Sequence, residues 1–213
     1  MTLDLLRSSL VDCQRCKLAK LGRTQVVFGT GNPNASIMFV GEAPGFYEDR
    51  QGEPFVGAAG KLLNELLTSA GLSRSQVYIA NVIKCRPPNN RDPEPDEVDT
   101  CKPFLMQQID TINPKVICTL GNWATRTLLG RNVGITKVRG HAIRHEQYIL
   151  FPLLHPAAAL HQGNLREPLV EDFQKLKEFL DELNRPQPAA PPPSMFERQA
   201  APSPAQLQMD LFG

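Results

Sequence analysis

Ser36-Ile-Met-Phe-Val-Gly-Glu-Ala-Pro-Gly45 is an apolar run broken abruptly by glycine, a carboxylate and proline. The run is continuous rather than alternating, as a parallel strand covered on both faces tends to be. Three further runs stop the same way: residues 77–80 at Asn81, residues 116–120 at Gly121-Asn122, and residues 149–154 at His155-Pro156. Residues 58–70, 96–112, 123–129 and 169–183 read as helices; the first groups Leu62, Leu63, Leu66 and Leu67 and stops at Gly71. Strand–helix alternation of this kind predicts a parallel α/β sandwich. Its strands end on one edge, and ligands bind in the crevice outside that edge. An acidic Gly/Pro loop, an amide and an imidazole are thus expected to converge from distant stretches of chain. A short amphipathic helix over residues 3–10, a long loop over 41–57, an irregular proline-rich stretch over 86–95 and further strands within 138–154 complete the reading.

A chain of 213 residues that is 41% apolar suits one packed domain with an appendage. Its net charge is only +1, so any surface for a polyanion must be local. Lys84, Arg86 and Arg91 in one loop, and Lys137, Arg139 and Arg144 in another, are the candidates. No run of about 18 apolar residues predicts a membrane span. The first residues lack a signal-peptide core, so a cytosolic protein without structural disulfides is expected. Residues 186–205 contain seven prolines and five alanines. They predict a flexible linker that, extended at ~3 Å per residue, reaches about 60 Å. It joins a domain of residues 1–185 to residues 206–213, where large apolar groups return.

Of the five cysteines, Cys118 sits inside an apolar strand and reads as a small core residue. Cys13 and Cys16 form a C-x2-C pair, while Cys85 and Cys101 flank the proline-rich excursion. Four cytosolic thiols outside strand interiors suggest structural zinc or an iron–sulfur cluster. Spacing leaves both open, together with unligated thiols.

Gly57-x-x-Gly60-Lys61 invites a phosphate-loop reading, but Leu62 stands where that motif needs Ser or Thr. What remains is a loop stiffened by proline and opened by glycine. It carries Glu42, Glu48, Asp49 and the aromatic Phe55.

The chain resembles the family 4 uracil-DNA glycosylases, the iron–sulfur class of bacteria and archaea. The matching residues are Gly41-Glu-Ala-Pro-Gly45 with Glu48-Asp49, and Gly52-x-Pro54-Phe55-Val-Gly57-x-Ala59-Gly60. Asn81-Val-Ile-Lys-Cys-Arg-Pro-Pro88, Ile135-Thr-Lys-Val-Arg-Gly140, His155-Pro-Ala157 and the four cysteines in order complete the match. The resemblance implies a three-layer α/β/α fold with a central four-stranded parallel sheet. It also implies a [4Fe-4S] cluster on Cys13, Cys16, Cys85 and Cys101, with uracil-containing DNA, single- or double-stranded, as substrate. One relative of the family has an inserted basic loop whose histidine bonds to the abasic sugar. Here Cys85 runs straight into Arg86-Pro-Pro88, so ordinary hydrolysis is expected.

An everted uracil is then expected to stack on Phe55 and be read along its edge by Asn81, whose amide can accept from N3–H and donate to O4. His155 is expected to donate to O2 as negative charge develops on the departing base. Glu48 is expected to orient water or steady the cationic sugar, with Glu42 and Asp49 as substitutes. Gly41, Glu42, Ala43 and Gly45 are expected to lend backbone amides to the base or a phosphate. Lys137 and Arg139 are placed on the DNA backbone, and Leu160 as a wedge into the vacated stack. Gln208, Met209, Leu211 and Phe212, with Asp210, resemble the peptide by which repair proteins dock on a sliding clamp. A non-catalytic iron–sulfur DNA-binding or damage-sensing module and a zinc-stabilised nucleotide hydrolase are the competing readings. Glu48, Asn81 and His155 together favour catalysis.

Overall fold

The computed structural model describes residues 2–145 and 147–185. The linker and the expected clamp peptide, with Gln208, Met209, Leu211 and Phe212, lie outside the described residues. Six strands form one sheet: β1 (Thr30–Gly31), β2 (Ile37–Gly41), β3 (Tyr78–Asn81), β4 (Val116–Leu120), β5 (Ile143–Arg144) and β6 (Ile149–Leu153). Their order is β1-β3-β2-β4-β6-β5. The four central strands are mutually parallel, as expected. Two-residue antiparallel strands cover both edges: β5 lies within the stretch where further strands were expected, whereas β1 was not announced by the sequence.

Successive side chains of a strand point to opposite faces, and here they sort into two apolar clusters. Phe39, Ile79, Cys118 and Phe151 pack on one face, while Met38, Val40, Ala80, Ile117 and Leu150 pack on the other. The first face is covered by α3 (Ala58–Ser69) and α7 (Arg166–Leu183), through Leu63, Leu67, Phe173 and Leu176. The second is covered by α4 (Pro95–Ile112) and α5 (Gly121–Leu129), through Leu105, Ile109, Ala124 and Leu128. Because both faces are buried, the strands read as unbroken apolar runs rather than as alternation. The short helix α1 (Leu3–Ser8) packs Leu6 against Phe28 in a separate small cluster.

The stretch after β2 is not one long loop. Six residues with neither glycine nor proline lie between Gly45 and Gly52, and they coil into α2 (Phe46–Gln51). Likewise Pro156 starts α6 (Pro156–His161) directly after β6. Of the stretch 86–95 expected to be irregular, residues 86–94 are so apart from a single turn at Pro88–Asn90, and Pro95 already begins α4. No helix among the described residues is long and apolar enough to cross a membrane.

Candidate active site

The sheet order places β2 between β3 and β4, so the connections leaving β2 and β3 run to opposite sides. That switch is where an open α/β sheet offers a crevice. A cavity of about 310 Å3 occupies it, near the small end of the roughly 300–1,000 Å3 typical of ligand pockets. Its wall combines Glu42, Ala43, Gly45 and Glu48 after β2, Phe55 before α3, Asn81 ending β3, and His155 after β6. Pro87, Asn90, Arg91 and His161, which sequence reasoning did not assign to the site, also line it. Asn122 takes no part in the wall. Its Oδ1 accepts from the Ile135 N–H at 2.9 Å, so the end of β4 serves the scaffold.

Phe55 is nearly buried and has a φ of 55°. A side chain held in that left-handed region costs about 1–3 kcal/mol and persists only where its surroundings enforce it. Arg74 does so, donating to the Pro54 carbonyl at 2.7 Å and the Phe55 carbonyl at 3.0 Å. Two glycines make the room. A Cβ at Gly60 would stand 1.8 Å from the Phe55 carbonyl oxygen, and one at Gly41 would stand 2.6 Å from the Phe55 ring and 2.5 Å from Asn81 Oδ1. Arg74 left no motif-scale signal because its partners are backbone atoms nineteen and twenty residues away.

Asn81 pairs with Gly41 across the β2–β3 ladder and is 2% exposed. Its Oδ1 is buried without a hydrogen-bond partner. An orphaned buried acceptor costs about 1–3 kcal/mol, and such groups are rare in native proteins. This one lines a cavity, where a ligand N–H would satisfy it. Lys84, expected on a basic surface, is instead buried behind Asn81, donating to the Asn81 carbonyl at 2.7 Å and to Gln108 Oε1 at 2.5 Å. Burial pushes its ammonium down to about 8, with the charges of Cys101 and Cys85 acting the other way.

His155 caps α6, its Nδ1 accepting from the Ala157 N–H at 3.1 Å. That bond assigns the proton of the neutral ring to Nε2, the polar atom left for the cavity. Burial lowers the imidazole to about 4 against the opposing pull of the Glu48 charge. The ring is therefore a neutral donor at physiological pH, suited to steadying a developing anion.

A family model described as the uracil DNA glycosylase superfamily matches residues 28–184. The chain belongs to the uracil-DNA glycosylase superfamily. A type-4 uracil-DNA glycosylase of Sulfurisphaera tokodaii is 51% identical over 187 residues, covering 84% of both chains. Those of Archaeoglobus fulgidus and Thermotoga maritima are each 45% identical, covering 84% of this chain and 93% and 94% of theirs.

In this member of the uracil-DNA glycosylase superfamily the three acidic residues after β2 occupy different environments. Asp49 is buried and accepts from the Thr24 N–H through both oxygens at 2.9 Å, which ties the chain before β1 to α2 and keeps it out of the cavity wall. Glu48 Oε1 accepts from the Val56 and Gly57 N–H groups at 2.9 and 3.0 Å. Glu42 has no side-chain hydrogen bond among the described residues, and burial, with the Asp92 charge adding to it, pushes its carboxyl up to about 7. Lys137 and Arg139 are not in the cavity wall. Arg139 is engaged with Asp172 at 3.1 Å and with the Pro168 carbonyl. Leu160, on α6 beside the wall residues Ala157 and His161, is 46% exposed.

None of the five cysteines forms a disulfide. Among the described residues no group of three or more His, Cys, Asp or Glu is placed to hold a metal ion. Cys13, Cys16, Cys85 and Cys101 nevertheless lie close enough to act on one another electrostatically. Burial pushes the Cys85 thiol up to about 11, opposed by Arg23, whose Nη1 donates to its sulfur at 3.0 Å. The Lys84 backbone N–H donates to the Cys101 sulfur at 3.3 Å.

Proposed function

We propose that this chain excises uracil from DNA by hydrolysing the bond between base and sugar, the first step of base excision repair. The observation that carries the reading is the buried, unpaired Asn81 Oδ1, set in one cavity with the Phe55 ring and the neutral His155. Uracil N3–H supplies the donor that Asn81 lacks. The base atoms are unreachable inside a duplex, so the nucleotide rotates out of the stack first. Phe55 backs its ring. As the bond between N1 and C1′ breaks, its electron pair passes to the base, and His155 Nε2–H donates to O2 of the resulting anion. Water adds to C1′ and gives up a proton. Glu42 is the acceptor best suited to receive it, since its carboxyl titrates near neutrality and has no competing partner. Glu48 holds the Phe55 loop through the Val56 and Gly57 amides and adds negative charge beside the cationic sugar. Ala43 and Gly45 bring backbone to the cavity wall, whereas Gly41, expected beside the ligand, is outside that wall and makes room for Phe55 and Asn81.

Cys13, Cys16, Cys85 and Cys101 fit a [4Fe-4S] cluster better than a single ion. A tetrahedral zinc site draws all four sulfurs onto one atom, whereas a cubane takes one thiolate at each iron. N–H donors already directed at the sulfurs of Cys85 and Cys101 suit thiolate ligands. When bound, the cluster serves as a structural crosslink between the N-terminal segment and the chain flanking residues 86–95, because hydrolysis transfers no electron. The C-terminal residues Gln208, Met209, Leu211 and Phe212 serve as a tethered ligand for the sliding clamp.

Release of free uracil from a single-site oligonucleotide by purified protein with an absorbance band near ~400 nm, expected of iron–thiolate chemistry, supports this reading. Binding without release supports the non-catalytic alternative. Deleting residues 206–213 is expected to abolish clamp pull-down and leave uracil release from short oligonucleotides unchanged.

A further inference from the structure

The cavity leaves one adjacent feature unexplained. Phe46 and Tyr47, the first residues of α2, are 42% and 58% exposed, although Gly45 and Glu48 on either side line the cavity. Their rings meet edge to face, with centroids 5.4 Å apart and planes at 84°. Two guanidinium groups stand against Phe46, Arg50 at 5.4 Å and Arg86 at 5.1 Å from its centroid. Arg86 arrives from the loop after β3, and Asn90 Oδ1, in the cavity wall, accepts from its Nε at 2.7 Å. Neighbouring arginines are neutralised or tied down: Arg91 by Glu97, Arg139 by Asp172 and Arg74 by backbone carbonyls. Arg50 and Arg86 have no carboxylate partner among the described residues. Helix α2 and the loop after β3, both bordering the cavity, therefore present an exposed aromatic pair flanked by two cations without a carboxylate partner.

Surfaces that hold single strands combine aromatic rings, on which bases stack, with cations that follow the phosphates. A paired duplex keeps its base faces inside the stack and cannot use such rings. We infer that Phe46, Tyr47, Arg50 and Arg86 form a platform for an unpaired nucleotide next to the one in the cavity. Its base lies on Tyr47, the more exposed ring, and its phosphate meets the guanidinium groups held by Phe46. The position of that nucleotide rests on the glycosylase reading. The preference for single-stranded DNA does not require it, because the platform takes a base of any identity.

The test is fluorescence anisotropy with a labelled oligothymidylate lacking uracil, alongside a duplex of the same length at the same salt concentration. Tyr47→Ser is expected to weaken single-strand binding about tenfold or more, in keeping with the loss of one base–aromatic stack. Tyr47→Trp should restore it, and duplex binding should move less than twofold in either variant. Arg50→Gln with Arg86→Gln should make the slope of log affinity against log salt shallower. Unchanged single-strand binding by Tyr47→Ser overturns the platform even if the wild type releases uracil. Equal losses on single strand and duplex overturn it too, since they indicate general phosphate binding. A wild type that releases no uracil, yet loses its single-strand preference on Tyr47→Ser, retains the platform and loses the glycosylase reading.

Discussion

The Phe55 ring lies 5.7 Å from the His155 imidazole, centroid to centroid, with the planes tilted by 32°. The two residues come from loops after β2 and β6, which β4 separates in the sheet. Their approach draws an aromatic ring and a neutral imidazole to the same cavity, a geometry that neither loop creates alone.

His155→Ala is expected to lower kcat about 10²- to 10³-fold, the scale for losing one preorganised donor to a developing anion. The imidazole titrates at about 4, so its neutral form already dominates at pH 5. Lowering pH from 7 to 5 should therefore cause no loss through this ring, and loss through it should set in only near pH 4. Rates in the Glu42→Gln variant, measured across that range, isolate the effect; a midpoint near 6.5 contradicts the assignment.

Glu42 predicts the opposite limb. Burial favours its neutral form up to about pH 7, whereas accepting a proton from water requires the carboxylate. In the wild type kcat/KM should rise through about pH 7 and level off above it. Glu42→Gln should be slower and lack that rise. A rise that persists in the variant assigns the titration to another group.

Arg74→Ala removes two hydrogen bonds that hold Phe55 in its left-handed conformation. A loss of about 1–3 kcal/mol in unfolding free energy is expected, together with a raised KM as the stacking ring loosens. Calorimetry and steady-state kinetics check the two effects separately. A lowered melting temperature with unchanged KM places Arg74 in the scaffold alone.

Lys84→Met keeps length and apolar bulk but withdraws donors from the Asn81 carbonyl and Gln108 Oε1. Each deprived buried acceptor costs about 1–3 kcal/mol. Both melting temperature and kcat should fall, since the Asn81 backbone loses its support. Wild-type values for both contradict this placement of Lys84.

The layers were legible because burial on both faces leaves a continuous apolar run, and each central strand has one. Asn81 and His155 were legible as polar residues ending such runs on a shared edge. Asn122 ends a run as well, yet its amide oxygen accepts from the Ile135 N–H at the start of the turn over Ile135–Lys137; no spacing distinguishes that role from ligand binding. The burial of Lys84 was hidden because its partners are a backbone carbonyl three residues back and a glutamine twenty-four residues on. Helix α2 was masked by the glycines and prolines that bound it, and with it the exposed pair at Phe46 and Tyr47. Asp49 looked interchangeable with Glu48 in sequence, but one helix turns them toward different neighbours.

The most direct test is single-turnover release of uracil by wild-type and Asn81→Ala protein, with cluster absorbance and melting temperature recorded on the same samples. The expected result is a rate at least about 10²-fold lower in the variant, with absorbance retained and melting temperature unchanged or raised by relief of the orphaned acceptor. A variant that releases uracil at the wild-type rate contradicts the central claim that Asn81 Oδ1 receives the uracil N3–H.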